Sequence, residues 1–133
     1  MWVQGSCHCG AVRFEAEANA DDVSVCHCTD CQSLTGTAFR TSVRAVDGTL
    51  RVARGSPKVY VKVADNGRGR EQHFCGDCGS PLLTREARQA EGWHLRWGAL
   101  QDREALVPAR AIWLRSAVPW LAAVPTLPGR DGD

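Results

Sequence analysis

Cys26-His27-Cys28-Thr29-Asp30-Cys31-Gln32 sets three cysteines within six residues, in the spacing C-x-C-x-x-C. Thiolates this close along a chain can grip one soft metal ion from a single side. Structural zinc sites take four protein ligands, whereas catalytic ones keep a position for water or substrate. The spacing therefore asks whether a fourth protein ligand closes this cluster. Outside it lie two more tight pairs, Cys7/Cys9 and Cys75/Cys78, making seven cysteines in all. A disulfide framework would leave one thiol over, and pairs this close suit chelation better than crosslinking. A redox dithiol at Cys75-Gly76-Asp77-Cys78 fits less well. Thioredoxin-type pairs open a helix, and the Gly79-Ser80-Pro81 that follows resists one.

The seven thiolates divide as four plus three. Cys7, Cys9, Cys75 and Cys78 would make a closed tetrahedral site that ties the first strand to the middle of the chain. Each pair ends in a glycine, Gly10 or Gly79, which lets the backbone turn tightly so that both sulfurs face one ion. Cys26, Cys28 and Cys31 would then form a second site with one place free. Other partitions stay open. An outer pair could join the central trio, His8 or His27 could be a ligand, or His73 or His94 could close the trio as a second structural site.

Length and charge narrow the classes of function. The chain has 133 residues and a net charge of +1, from 16 Lys and Arg against 15 Asp and Glu. One domain is expected, over residues 1–124, with residues 125–133 as a frayed tail rich in Pro, Gly and charge. The neutral balance and lack of a basic run argue against nucleic-acid binding. No apolar run approaches a membrane span, and Met1 to Cys7 lacks the charged and apolar regions of a signal peptide. A cytoplasmic location with reduced thiols is the expectation.

The pattern between the cysteines is that of strands. Residues 11–17 alternate apolar and polar, residues 19–22 suggest a turn, and Val23-Ser24-Val25 is a short strand that delivers Cys26. Residues 32–36 suit one helical turn ended by Gly36. Residues 38–43 suggest a strand, and Asp47-Gly48 a hairpin turn into residues 49–52. Residues 58–63 have strict period two with three valines on one face, residues 65–69 form a loop, and residues 70–74 lead into Cys75. Residues 81–84 continue outward from the last cysteine pair, residues 93–97 and 111–115 are also strand-like, and residues 86–92 are the one fair helix candidate. Many short strands with Gly and Pro turns imply a mainly β domain with little helix.

Three ordered blocks resemble the glutathione-dependent formaldehyde-activating enzyme family, which includes the centromere protein V domain. They are Gly5-Ser6-Cys7-His8-Cys9-Gly10-Ala11-Val12, then Cys26 to Phe39, then Phe74-Cys75-Gly76-Asp77-Cys78-Gly79-Ser80-Pro81-Leu82. Pro108, Ile112, Ser116 and Trp120 fall on the family's closing pattern. The resemblance implies a tent-like zinc-binding fold of short antiparallel strands with two zinc ions per chain. It implies Cys7, Cys9, Cys75 and Cys78 as structural ligands and Cys26, Cys28 and Cys31 as ligands of a catalytic zinc. It also implies a carbon–sulfur lyase that handles glutathione, or a similar small thiol, and formaldehyde or another small aldehyde, through S-hydroxymethylglutathione. One position departs from the pattern: Ala111 stands where the family usually has histidine, which puts that activity in question but not the zinc sites.

A zinc held by three thiolates carries net negative charge, which weakens its Lewis acidity and favours exchange of a thiol ligand over water activation. His27 and Asp30 are candidates for hydrogen bonds behind the ligands, with Gln32, Thr35 and Phe39 at the edge. Arg40 and Arg44 could meet a substrate carboxylate. The five tryptophans read as core or interface rather than pocket. The rival to an enzyme is a non-catalytic, zinc-stabilised binding module with both sites closed.

Overall fold

The computed structural model describes residues 1–133. Nine strands are present: β1 (Trp2–Ser6), β2 (Arg13–Cys26), β3 (Arg40–Ala45), β4 (Arg51–Arg54), β5 (Lys58–Val63), β6 (Gly69–Phe74), β7 (Pro81–Glu86), β8 (His94–Arg96) and β9 (Arg110–Ile112). They run in the order β1-β2-β3-β8-β7-β6-β5, with β4 and β9 also pairing with β2. Every pairing is antiparallel except β2 with β9, which is parallel. The mainly β expectation holds. No helix is long and apolar enough to cross a membrane.

The single α-helix, α1 (Thr29–Thr35), follows the central cysteines and ends at Gly36 in left-handed conformation, φ 71°. That φ costs an L side chain more than it costs glycine. The helix expected at residues 86–92 does not form. Arg88 and Gly92 both take positive φ, and the segment is tied by Ala87 N–H to Gly69 O and Arg85 Nη1 to Ala90 O. It has no apolar stripe to bury, so local turns win over helix propensity.

Two further expectations change. Residues 19–22 are not a turn between two strands but part of the 14-residue strand β2. The register against β3 slips there, from Ala18↔Ala45 to Val23↔Val43, so the extra residues bulge out. Asp47-Gly48 turns the chain, but not into a hairpin: β4 leaves β3 and pairs with the first half of β2. Thr49 Oγ1 accepts from Glu17 N–H, and the Glu91 carboxylate accepts from Gly48 N–H, so the turn is held by the neighbouring strand and loop. The valines of β5 do not enter the core. β5 is the last strand in the order, and Val59, Val61 and Val63 stay exposed.

The core gathers alternate residues of β1 and β2 (Val3, Phe14, Ala16, Ala18, Val23) with Val43, Leu82, Leu83 and Leu95. Cys7 and Cys75 belong to the same buried cluster, so the outer cysteines hang directly on the core. Trp93 and Trp97 pack against it, while Trp2, Trp113 and Trp120 are exposed.

Candidate metal centre and its cavity

The loop after β1 and the loop after β6 bring Cys7, Cys9, Cys75 and Cys78 together. Their four sulfurs lie within 4.8 Å of one another. Cys7 Sγ is 3.6 Å from Cys9 Sγ, and Cys9 Sγ is 3.8 Å from Cys75 Sγ. A tetrahedron built on about 2.3 Å metal–sulfur bonds has edges of about 3.8 Å, so the spacing fits one ion, and it is far longer than a disulfide. Gly10 and Gly79 take φ of 79° and 78° and close each turn, donating to Cys7 O and Cys75 O.

Cys26 ends β2, Cys28 caps α1 and Cys31 lies in its first turn, so a strand end and a helix start converge. These three sulfurs also lie within 4.8 Å of one another, and no histidine nitrogen or carboxylate oxygen joins them at that range. Cys28 Sγ accepts the Cys31 N–H at 3.2 Å. All seven cysteines are free thiols.

The crowded sulfurs oppose one another's ionisation. Hydrogen bonding from the Cys31 thiol lowers Cys26 to about 5 against its burial, with help from the Cys28 backbone and thiol and from Lys62. The Cys26 thiolate, burial and Cys28 together push Cys31 up. In the outer cluster the Ser80 hydroxyl, with backbone N–H groups, lowers Cys78 to about 5. The Ala11 amide favours the Cys9 thiolate, but Cys7, burial, Cys78 and Cys75 push it up to about 12. In each cluster the proton leaves one sulfur easily and another with difficulty. A cation at the centre lets all of them ionise together, and both donor sets therefore fit a soft divalent metal.

The trio opens on a cavity of about 380 Å³. Its other walls include Lys62 of β5, Arg70 and Gln72 of β6, Arg96 of β8, and Arg40 of β3. Lys62 Nζ pairs with Asp30 at 2.8 Å, so Asp30 serves the lysine rather than the cysteines. Arg96 donates to Ser42 Oγ and to Gln72 Oε1, both at 2.7 Å, and Arg40 Nη1 donates to the same Gln72 Oε1 at 2.9 Å. Burial, then the charge of Arg40, lowers Arg96 to about 9, so it remains a cation at neutral pH. Burial, then the charge of Arg70, lowers His94 to about 4 and keeps it neutral.

Several residues proposed for this site are elsewhere. Gln32 donates to His27 O and Ser116 O, pinning α1 to the C-terminal segment. Thr35 and Phe39 line a neighbouring cavity of about 720 Å³, which shares Arg40 and Arg96 with the one over the trio. His27 is buried beside Phe39, its Nδ1 unpartnered by any protein group. Ala111 pairs in register with Val25 and lines a third cavity with His27, not the one over the trio. Arg44 pairs with Asp47. His8 is exposed, and His73 binds Glu71 beside Trp93, so neither is a fourth ligand. Trp113 alone among the tryptophans reaches the cavity. Lys62, Arg70, Gln72 and Arg96 were not expected from sequence. Their signal was polar residues at i and i+2 in strands, a pattern that also describes a solvated sheet face.

The family model for the glutathione-dependent formaldehyde-activating enzyme matches residues 2–116. This chain belongs to that family. The match spans both cysteine clusters, every strand and the cavity walls. A Halomonas elongata protein, whose name places it provisionally among the glutathione-dependent formaldehyde-activating enzymes, is 30% identical over 99 residues. The aligned part is 71% of this chain and 62% of that protein, so the chain spans less than two thirds of its relative's length. A crystal structure of a Rhodobacter sphaeroides protein superposes with a TM-score of 0.61 at 23% identity, covering 81% of this chain and 98% of that one. This likeness concerns the fold.

Proposed function

We propose that this member of the formaldehyde-activating family is a zinc enzyme of the carbon–sulfur lyase type. It joins a small, glutathione-like thiol to formaldehyde or another small aldehyde, and cleaves the adduct in reverse. One observation carries the reading: a three-sulfur cluster without a fourth protein donor, facing a cavity rather than a neighbouring element. Cys7, Cys9, Cys75 and Cys78 would hold a structural zinc, and Cys26, Cys28 and Cys31 a second one. Zinc at the second position supplies a cation with one exchangeable place, suited to a substrate thiolate.

The chain's own residues do the rest. Cys26, Cys28 and Cys31 fix where the incoming sulfur sits, at the mouth of β2 and α1. Lys62, Arg40, Arg70 and Arg96 keep the cavity electropositive, which favours thiolate over thiol in an entering substrate. The same charges stabilise the alkoxide that develops as sulfur attacks the carbonyl carbon. The carbon–sulfur bond forms, the carbonyl π pair moves to oxygen, and that oxygen takes a proton equal to the one the thiol lost. His94 shares the cavity but its Nδ1 faces Arg70 and the Gly92 carbonyl, no histidine nitrogen joins the three sulfurs, and Ala111 supplies none, so protons exchange with solvent through the open cavity. The domain would act in the cytoplasm, where thiols stay reduced.

The test is NMR detection of S-hydroxymethylglutathione from glutathione and ¹³C-formaldehyde, with rates corrected for the spontaneous reaction. Zinc-loaded protein should accelerate approach to equilibrium, and Cys28→Ser should abolish the acceleration. Full activity in Cys28→Ser would refute the reading. A protein with two metals and no acceleration on any thiol–aldehyde pair would instead support a binding module.

A further inference from the structure

Three guanidinium groups line the cavity over Cys26, Cys28 and Cys31, and none is in contact with a carboxylate; Glu86, opposite Arg70 across β6 and β7, is bound to Arg68. Arg40 and Arg96 are 6% and 8% exposed, and Arg70 is half-buried. None of the three has an acidic partner within salt-bridge distance, whereas Lys62 in the same cavity is paired with Asp30. Their hydrogen bonds go to neutral groups. Gln72 Oε1 takes one bond from Arg40 and one from Arg96, Ser42 Oγ takes another from Arg96, and Arg70 Nη2 lies 3.2 Å from His94 Nδ1. Arg40 Nε is fully buried and has no protein partner at all. Burying unpaired cations is costly, and a fold bears that cost where a ligand supplies the missing charge.

We infer that Arg40, Arg70 and Arg96 form a carboxylate-recognising wall, and that it selects thiol substrates bearing an acidic group close to the sulfur. The inference rests on the open three-sulfur centre proposed above. Charge arithmetic supports it. A divalent ion on three thiolates carries one negative charge, a bound substrate thiolate makes two, and one carboxylate makes three, matching the three guanidinium groups. Planar, forked guanidinium groups suit a carboxylate better than a point charge would. Gln72 holds Arg40 and Arg96 at a fixed separation by accepting from both, so it is a positioning residue for the pair. Small carboxylates that lack a thiol should then occupy the same wall and compete with substrate.

Two measurements test this without relying on turnover. Cobalt-substituted protein is titrated with 3-mercaptopropionate and with 2-mercaptoethanol, following the visible spectrum. The acidic thiol should bind roughly tenfold tighter or more, as expected of a charge-assisted hydrogen-bond pair. Arg70→Gln should weaken both thiols, and should weaken 3-mercaptopropionate several-fold more than 2-mercaptoethanol, so that the preference shrinks. Equal affinities in the wild type overturn the inference. Separately, succinate and its diamide are titrated by calorimetry. Succinate should bind and the diamide should not, with succinate several-fold weaker in Arg70→Gln. No succinate binding, or equal binding of the diamide, overturns the inference even if the variant fails to fold. If neither thiol shifts the cobalt spectrum, the open-centre reading fails, and the succinate titration by itself decides the carboxylate wall.

Discussion

Removing the outer metal site should destabilise the fold far more than removing the central one, and chain topology sets the difference. Cys9 and Cys75 are 66 residues apart, so an ion held by the outer pairs closes half the chain into a loop. By the loop-entropy relation for a crosslink, closing that loop contributes about 4 kcal/mol. Cys26, Cys28 and Cys31 lie in one six-residue run, and the same relation gives about 2 kcal/mol there. The clean comparison is Cys9→Ser/Cys78→Ser against Cys26→Ser/Cys28→Ser. Cys9 and Cys78 are exposed and Cys26 and Cys28 are not deeply buried, so little packing is lost in either. Urea unfolding of zinc-loaded proteins, followed by tryptophan fluorescence with metal content measured alongside, reads the difference. The outer double variant should be less stable than the central one by about 2 kcal/mol, and excess chelator should bring the wild type down to or below the outer variant. If the central variant proves equally or more damaging, the outer cluster is not the crosslink that the geometry describes.

Three other outcomes follow from packing and charge. Leu95 of β8 is fully buried, and Leu95→Ala should cost about 2–5 kcal/mol in the same denaturation assay; a loss near zero would mean the β8 face is not core. A Cβ at Gly5 would meet the Phe14 ring at 2.1 Å, and that ring is 2% exposed, so Gly5→Ala should cost about 1–3 kcal/mol, with Phe14→Leu partly restoring it. His94 takes its proton near 6.5 in the unfolded chain but only near 4 in the folded one, so stability should be unaffected above pH 6.5 and fall as pH drops from there toward 4. His94→Asn should flatten that limb, and an unchanged acid limb would show that His94 is not its source.

Cysteine spacing made the two cysteine clusters legible before any geometry, because sulfurs that converge through short loops and glycine turns leave a local signature. The mainly β class was legible for the same reason: period-two alternation at residues 11–17 and 58–63 is a local property. What was not legible depended on partners far along the chain. Asp47-Gly48 has the composition of a hairpin turn, yet β4 pairs with β2, a choice made by tertiary contacts. Residues 86–92 have helix-compatible residues but no apolar face, and Arg88 sits at φ 69°. The alternation of β5 is local, but its position at the end of the strand order leaves the valines uncovered. Arg70 and Arg96 carry no local signal of the cavity, which they reach only because β8 lies beside β3 and β6 follows through β7 in the same sheet.

The bulge in β2 has a consequence for how the chain length can vary. Phe14, Ala16 and Ala18 face the core before it, and Val23 does so after it, so the inward parity changes from even to odd. Ser24 and Cys26, even-numbered, are thereby turned toward the cavity. Cys7 and Cys9 lie just before the start of this strand, and the central cysteines begin at its end. Residues 19–22 thus set a phase between them. A deletion or insertion of two residues there preserves the phase, while a single-residue change would turn Cys26 toward the core and Val25 toward the cavity. Length variation in this segment should be confined to even steps wherever both clusters are kept.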